Sequence, residues 1–178
     1  MVLFCNQQPT KRYYFSELWS QFYEEPSILY KDVVMDNIRY GPSKNSQDIF
    51  DNLAMKKRYT ISFDTMLLEC EARSKLAQKS GYLHVVGIGL GVWKACEQQE
   101  RIFLETFEQR LKVLGNALQH ISYVHFSWFK LDKSGDIFNE NLIKINNHPN
   151  DGIRVFVSKR DPAEKLVNTK ESVIVGSN

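Results

Sequence analysis

The sequence contains few of the residues that hold a metal or form a disulfide framework. Its 178 residues include three cysteines, Cys5, Cys70 and Cys96, which are far apart and form no C-x-x-C pair. Zinc sites and disulfide-stabilised domains need cysteines in even sets or at short spacings. The four histidines show no metal-binding spacing either. We therefore expect no metal, no other cofactor and a reducing compartment.

Long apolar runs and an excess of one charge are also absent. No segment approaches the ~20 apolar residues of a membrane span, and the apolar start at 1–5 becomes polar at 6–12, which is too short for a signal peptide. The 23 basic and 21 acidic residues give a net charge of +2, and the basic residues are scattered. The sequence therefore predicts a soluble, cytoplasmic protein that binds neither a membrane nor nucleic acid.

The composition, 43% hydrophobic and 25% charged, is typical of one globular domain. Residues 1–58 form an aromatic-rich segment that we expect to pack on a core domain at 59–178. Aromatic spacing predicts a helix around 16–23 that ends before Pro26, with a core or docking face. The breaker-rich segment Tyr40–Ser46 is predicted to be a loop, as is the basic run Lys56–Arg58.

Residues 59–178 alternate between helix and strand patterns. The predicted elements are a helix at 64–79 with Asp64 or Ser62 as N-cap, a strand at 82–88, a helix at 98–118, a strand at 121–129, a polar loop at 130–150 with at most a short strand at 142–145, a strand at 153–157, a helix at 161–167 and a strand at 172–175. Strands that alternate with helices predict an α/β fold with a mainly parallel sheet and helices on its faces.

Three alternate glycines follow the first of these apolar strands. Gly87, Gly89 and Gly91 permit backbone angles closed to other residues and leave no side chain between the main-chain N–H groups and a ligand. A helix that begins soon afterwards would add its positive end, and ligands of open α/β sheets bind beyond the carboxyl ends of the strands. The pattern favours a phosphate-binding loop, and a tight strand-to-helix turn is the alternative.

Two common nucleotide-binding motifs are excluded by spacing. The G-x-G-x-x-G fingerprint would need glycine at Val92 and an acidic residue about 20 positions later, where Lys112 lies inside a predicted helix. A Walker loop would need G-K-[ST], whereas Gly91 is followed by Val92, Trp93 and Lys94. Neither hydride transfer nor nucleoside triphosphate hydrolysis is indicated.

The residues after the glycines suggest how a ligand would be held. Trp93 could cover a ribose or stack on an adenine, or it could pack between helix and sheet. Lys94 could neutralise a phosphate. We expect Glu97 and Glu100 to face solvent, because they would oppose an anion if they pointed inward.

Side chains that could act as a nucleophile or base are few. Cys96 lies near a helix start, which can lower the pKa of a thiol, but no base partner is evident. We expect structural roles for the histidines, namely His84, His120, His125 and His148. Three loop aspartates receive no catalytic role, because loop aspartates mostly stabilise turns; they are Asp132, Asp136 and Asp151.

Several motifs together resemble a known family. Residues 63–73 (FDTMLLECEAR), 84–93 (HVVGIGLGVW) and 158–163 (SKRDPA) are similar to the MavL-type macrodomain-like family of bacterial effectors and their insect relatives. With 124–129 (VHFSWF), the order of elements also resembles the second half of a macrodomain, an α/β module that binds ADP-ribose. The resemblance covers roughly residues 59–176.

The resemblance implies a three-layer α/β/α fold that binds ADP-ribose or an ADP-ribosylated protein. It places seven residues around the diphosphate and distal ribose: Gly87, Ile88, Gly89, Leu90, Gly91, Val92 and Trp93. Active members remove ADP-ribose from modified proteins, and an effector would act in the cytosol of a host.

The resemblance also implies an Asp/Asn/Gly-rich loop after the last strand, which supplies acidic residues for ribose contact and hydrolysis. Residues 172–178 end where that loop would begin, so we expect ADP-ribose binding with weak or no hydrolysis. One alternative is a protein-interaction module that docks through the helix at 16–23. Another is a hydrolase that uses Asp132, Asp136 or Asp151.

Overall fold

The computed structural model of the protein describes residues 13–25, 33, 35–44, 49–161, 164 and 172–175. Its helices are α1 (Tyr13–Phe22), α2 (Asn52–Ala77) and α3 (Gln99–Leu114), and a 3-10 turn at Gly115–Ala117 follows α3. Its strands are β1 (Tyr40–Pro42), β2 (Ile49–Asp51), β3 (Gly81–Val85), β4 (Ile121–Ser127), β5 (Lys133–Ser134), β6 (Ile137–Phe138), β7 (Leu142–Lys144), β8 (Gly152–Ser158) and β9 (Ser172–Val175).

Five strands form the central sheet in the order β7-β8-β4-β3-β9. The four strands from β8 to β9 are parallel, and β7 is antiparallel to β8 at one edge. Helix α3 connects the parallel neighbours β3 and β4, as the strand-helix-strand pattern predicts. The predicted α/β class with a mainly parallel sheet is therefore confirmed.

Helices α2 and α3 share one hydrophobic core with the sheet. Aromatic rings fill its centre: the centroids of Phe63 and Phe103 lie 4.6 Å apart, and those of Phe107 and Phe126 lie 4.9 Å apart. The opposite sheet face carries Tyr82 and His84 of β3, which pair with Tyr123 and His125 of β4. This layering is compatible with a three-layer α/β/α fold.

Helix α2 begins twelve residues earlier than the predicted start at Asp64. Its N-cap is Asp51, whose fully buried carboxylate accepts a hydrogen bond from the Ala54 backbone N–H at 2.9 Å and is paired with Arg39 at 2.9 Å. Asp64 instead forms an ion pair with Arg110 at 2.6 Å. The predicted N-cap at Asp64 or Ser62 is therefore wrong.

The basic run Lys56–Arg58 lies within α2 and not in a loop as predicted. Met55, Tyr59 and Phe63 are buried at four-residue intervals, while the basic residues between them occupy other faces of the helix. Three successive charges conceal this periodicity in the sequence. The predicted division between residues 58 and 59 falls inside the helix and stays a prediction.

Two more segments predicted as loops contain strands. Residues 40–42 pair antiparallel with β2. Strands β5 and β6 form a hairpin in which Gly135 takes a φ of +58°, an angle that favours glycine at a two-residue turn. The short strand predicted at 142–145 is confirmed as β7, while most of the helix predicted at 161–167 lies outside the described residues.

Helix α1 confirms the helix predicted in the aromatic-rich segment. Tyr23, just after it, is buried and stacks on Trp19 at 5.6 Å, whereas Phe22 is 61% exposed. In the described part of the chain, no helix is both long and apolar enough to cross a bilayer.

Candidate functional site

A cleft of about 550 Å³ lies beyond the carboxyl ends of β3 and β4. Its lining residues come from the glycine loop (Gly87–Gly91) and its neighbours, from the start of α3 and from the segments after β4 and β8. Lys44, which follows β1, also lines the cleft. The lining residues are Lys44, Val86, Gly87, Leu90, Gly91, Lys94, Glu97, Glu100, Ser127, Trp128, Phe129, Lys130 and Lys159. This is the edge at which parallel α/β sheets bind ligands.

The structure brings part of the predicted site to the cleft. Of the seven predicted residues, Gly87, Leu90 and Gly91 line it, whereas Ile88, Gly89, Val92 and Trp93 are not among its lining residues. Strand β3 ends at Val85, three residues before the predicted end, so the whole glycine loop lies outside the strand. Helix α3 begins only at Gln99, so the loop does not lead directly into a helix.

The three glycines have different surroundings. A Cβ at Gly87 would lie 2.7 Å from Leu90 Cδ1, and Gly89 takes a φ of +75°. A Cβ at Gly91 would meet nothing within 4 Å. Packing and backbone angle therefore explain the first two glycines, while Gly91 leaves open space where the chain borders the cleft.

Gln99 fixes the shape of the loop from the first turn of α3. Its Nε2 donates to the Gly89 carbonyl at 3.1 Å and to the Tyr59 hydroxyl at 3.0 Å, while its Oε1 accepts from the Ala95 backbone N–H at 2.8 Å. The side chain is almost fully buried. Through these bonds Gln99 connects Gly89 and Ala95 to each other and to Tyr59 on α2.

Four lysines line the cleft. Lys94 is buried and its Nζ lies 3.0 Å from the exposed Glu97, whose pKa the lysine lowers. Lys159 is 3.7 Å from Asp132 and both side chains are largely exposed. With Lys44 and Lys130, these side chains give the cleft an excess of positive charge.

Lys44 reaches the cleft from the aromatic-rich segment. Its backbone N–H donates to the Ala95 carbonyl at 2.7 Å, and the Ser43 hydroxyl donates to the same oxygen at 3.1 Å. Gln98 Nε2 also donates to the Pro42 carbonyl at 3.2 Å. Residues 42–44 are thereby attached to the segment between the glycine loop and α3.

Glu100 does not face solvent as predicted. It is 6% exposed and lines the cleft, and its Oε1 accepts hydrogen bonds from the backbone N–H groups of Lys130 and Leu131 at 2.5 and 2.9 Å. The carboxylate is buried because these two donors compensate for lost water. The prediction fails because both donors belong to a distant loop.

Two tryptophans lie near the cleft. Trp93 is 84% exposed, so it does not pack between helix and sheet, which was one of its two interpretations. Trp128 lines the cleft and is 66% exposed, and its backbone has a φ of +67°. Its backbone N–H donates to the Ser158 carbonyl at 2.9 Å, which holds it in this conformation.

Two histidines lie side by side beneath the cleft. His125 Nδ1 is 2.5 Å from the Tyr82 hydroxyl and its Nε2 is 2.7 Å from the Ser158 hydroxyl, while His84 Nε2 is paired with the Ser127 hydroxyl. Burial, aided by the neighbouring imidazole, lowers the pKa of His125 to about 4. The pKa of His84 is lowered too, chiefly by burial, so both rings are neutral at pH 7.

The remaining histidines have partners away from the cleft. His120 Nδ1 pairs with Glu71 at 2.6 Å, and His148 Nε2 is 3.0 Å from the Ile121 carbonyl. Within the described residues, no group of three His, Cys, Asp or Glu side chains could hold a metal.

Cys96 does not have the lowered pKa that its position suggests. The side chain is buried, and desolvation raises the pKa of its thiol to about 11. It also precedes the start of α3 by three residues, outside the first helical turn. A thiolate is therefore strongly disfavoured at neutral pH.

The three loop aspartates do not line the cleft. Asp132 is exposed and weakly paired with Lys159, and Asp136 forms an exposed ion pair with Lys112 at 2.6 Å. Asp151 is exposed, with a φ of +61° in the turn before β8. The described geometry gives no support to a hydrolase that uses these residues.

The sequence prediction of the site did not include the cleft residues Lys44, Trp128, Lys130 and Lys159. Trp128 and Lys130 follow β4 as the glycine loop follows β3, so their position after a parallel strand is a signal that could have identified them. Lys44 has no such signal, because it comes from a segment that precedes the sheet.

Comparison with known proteins extends the resemblance to the aromatic-rich segment. A family model described as ADP-ribosylhydrolase MavL-like matches residues 4–176. The curated Drosophila melanogaster protein ADP-ribosylarginine hydrolase CG2909 is 58% identical over 152 residues, which are 85% of this chain and 30% of that protein. ADP-ribosylarginine hydrolase CG3568 of the same organism is 50% identical over 158 residues, or 88% and 31%.

The chain spans less than a third of the length of these two relatives. The family match nevertheless covers almost all of the chain, and it includes the glycine loop, the lysines of the cleft and β9. The resemblance indicated by the sequence motifs is thus confirmed: the chain belongs to the MavL-like family of ADP-ribosylhydrolases.

Proposed function

We propose that the cleft binds the ADP-ribosyl group of an ADP-ribosylated protein. Family membership supports a function related to ADP-ribose. The names of two relatives make ADP-ribosylarginine the linkage to test first. The diphosphate would lie against the loop from Gly87 to Gly91, with the lysines around it.

The main support is the open space at Gly91 in a cleft lined by four lysines. A diphosphate needs close backbone approach and several positive charges, because its two phosphates carry charge side by side. Glycine at position 91 is required neither by packing nor by a positive φ. A ligand that lies against the backbone here would explain why position 91 is a glycine.

The other predicted residues then have distinct roles. Gly87 and Leu90 would contact the diphosphate, while Ile88 and Gly89 shape the loop behind it. Val92 and Trp93 are exposed beyond the loop, where they would cover the distal ribose. Trp128 offers a second exposed ring for a sugar or an adenine.

Gly91→Glu tests this proposal in a calorimetric titration with ADP-ribose. We expect the wild type to bind and the variant to show no measurable binding, because a negative side chain would fill the space of the diphosphate. Gly91 suits this test better than Gly89, since a side chain at a φ of +75° would also strain the fold.

Leu76→Glu is the matched control, because it introduces the same charge at an 88% exposed position near the end of α2. It should bind ADP-ribose like the wild type. A wild type that shows no response at millimolar ADP-ribose, or a Gly91→Glu variant that binds equally well, would contradict the proposal.

Hydrolysis is a separate step of the proposal, because the curated relatives are about three times as long as the matched part of this chain. We propose that any release of ADP-ribose by this chain takes place in the same cleft. The measurement is free ADP-ribose released from an arginine-modified protein. Release that persists unchanged in Gly91→Glu would place the reaction elsewhere.

A second candidate is a protein-interaction module that keeps the fold without binding the ligand. Leu18, Trp19 and Phe22 on α1 are 44%, 38% and 61% exposed, an apolar group of the kind that binds partners. This candidate would be favoured if the wild-type protein is folded and does not bind ADP-ribose. If such a protein binds a defined partner, Phe22→Asp should abolish that binding.

A further inference from the structure

Glu100 is a buried carboxylate in the wall of a positively charged cleft. It lies in the first turn of α3, and only 6% of the residue is exposed. Its Oε1 is held by the backbone N–H groups of Lys130 and Leu131 at 2.5 and 2.9 Å. These two bonds fix the orientation of the carboxyl group against the loop that follows β4.

The second carboxylate oxygen, Oε2, has no hydrogen bond or ion pair within the described part of the chain. None of the four lysines of the cleft donates to it, and Lys94 is paired with Glu97 instead. Oε2 is not among the buried side-chain atoms that lack a partner, so it is open to the cleft. A ligand that displaces water from this oxygen without offering a donor would cost free energy. A donor supplied by the contents of the cleft would remove that cost.

We infer that Glu100 Oε2 accepts a hydrogen bond from a hydroxyl group of the sugar joined to the bound diphosphate. This inference rests on the proposed function and identifies a residue that determines specificity. The ionised diphosphate ester of ADP-ribose only accepts hydrogen bonds, so the diphosphate by itself leaves Glu100 unpaired and is repelled by it. A diphosphate joined to a pentose satisfies both the lysines and the carboxylate.

The competing explanation is that Glu100 only braces the loop at residues 130–131. Glu100→Gln separates the two, because the amide oxygen can still accept from both backbone N–H groups while the second position becomes an NH₂ donor. A brace would leave ligand affinity unchanged in this variant. A carboxylate that accepts from a sugar hydroxyl would be replaced by an amide that can only donate to that hydroxyl, which is a weaker, uncharged hydrogen bond.

The experiment titrates ADP-ribose and dimethyl diphosphate, a diphosphate diester without hydroxyl groups, separately into the wild type and Glu100→Gln. We expect the affinity for ADP-ribose to fall about 5- to 10-fold, as for the exchange of a charged hydrogen bond for a neutral one. The affinity for dimethyl diphosphate should stay the same or rise, because it has no hydroxyl group and a negative charge is removed. Unchanged ADP-ribose affinity, or equal losses for both ligands, would overturn the inference.

The outcomes also distinguish this inference from the proposed function. A wild type that fails to bind ADP-ribose removes both, whereas binding that Glu100→Gln leaves intact removes only the role of Glu100. Should Glu100→Gln not fold, the wild type is titrated with an ADP-ribose analogue whose ribose hydroxyls are replaced by hydrogen. We expect the same loss of affinity, and equal affinity for the analogue would contradict the inference.

Discussion

Gly87, Gly89 and Gly91 are three glycines with three different constraints. Gly87 has Leu90 against it, Gly89 has a positive φ, and Gly91 borders open space. A loss of ligand binding on substitution is therefore easiest to interpret at Gly91, where the fold itself tolerates a side chain. Alternate spacing in a sequence does not separate these cases.

At the same scale, the buried His125 should make stability depend on pH. Its pKa in the folded protein is about 4, below the ordinary value of 6.5, so the unfolded chain takes up more protons between these values. Its contribution is fully present above pH 6.5 and is lost as the pH falls toward 4. Urea unfolding midpoints at pH 7, 6, 5 and 4.5 should decrease steadily.

The matched variant is His125→Gln, which removes the titrating group and keeps donor and acceptor atoms near Tyr82 and Ser158. Its midpoints should fall less steeply over the same range. A smaller slope remains, because the pKa of His84 is also lowered. Parallel pH curves for wild type and variant would show that His125 is not neutral and buried as described.

At the scale of elements, the start of α2 depends on one carboxylate. Asp51 caps the helix and pairs with Arg39, so Asp51→Ala removes a cap worth about 1 kcal/mol and leaves a largely buried guanidinium without this partner. We expect the free energy of unfolding to fall by about 3 kcal/mol. Chemical denaturation measures this change.

Asp64→Ala provides the comparison, because Asp64 is one of the two N-caps predicted from the sequence. Its carboxylate is 29% exposed and pairs with Arg110, so the expected cost is about 1 kcal/mol or less. If Asp64→Ala is the more destabilising change, α2 does not begin where the structure places it.

Elements with clear periodicity were predicted well, whereas several of the others were missed. The buried strands β3, β4 and β8 and the helix α3 follow from continuous apolar runs and three-and-four spacing. The first half of α2 was missed because Lys56–Arg58 interrupt its apolar pattern. The β5-β6 hairpin was missed because two-residue strands carry too little pattern to detect.

At the scale of the whole molecule, the cleft depends on contacts distant in sequence. Lys44 is held by its own backbone bond to Ala95, fifty-one residues later. Glu100 is held by backbone donors thirty residues away. The site is therefore assembled by folding and is not contained in one motif.

Lys44→Gln tests this assembly. We expect ADP-ribose binding to weaken about two- to fivefold at low salt, because one exposed positive charge is worth on the order of 1 kcal/mol near an anion. The difference should shrink as salt is added. Lys56→Gln is the control, since Lys56 loses the same charge from an exposed pair with Glu105. Equal effects of the two variants would mean that Lys44 acts only through net charge.

About a third of the cleft could be inferred from sequence. The loop from Gly87 to Gly91 and Lys94 are contiguous, so a local pattern was enough to identify them. Glu100 is predicted to face solvent, and this is wrong because an argument from the helix dipole does not show which loop lies opposite the side chain. Trp128 and Lys130 follow a strand that the sequence already predicts, whereas Lys159 required the strand order.

The sequence by itself determined the alternation of strands and helices, the glycine loop after β3 and membership of the family, because each depends on residues close together in the chain. Only the tertiary structure decided which glycines border the cleft, which lysines surround it and that Glu100 points inward. These features depend on strand order and on backbone donors from distant loops, and no local spacing encodes either.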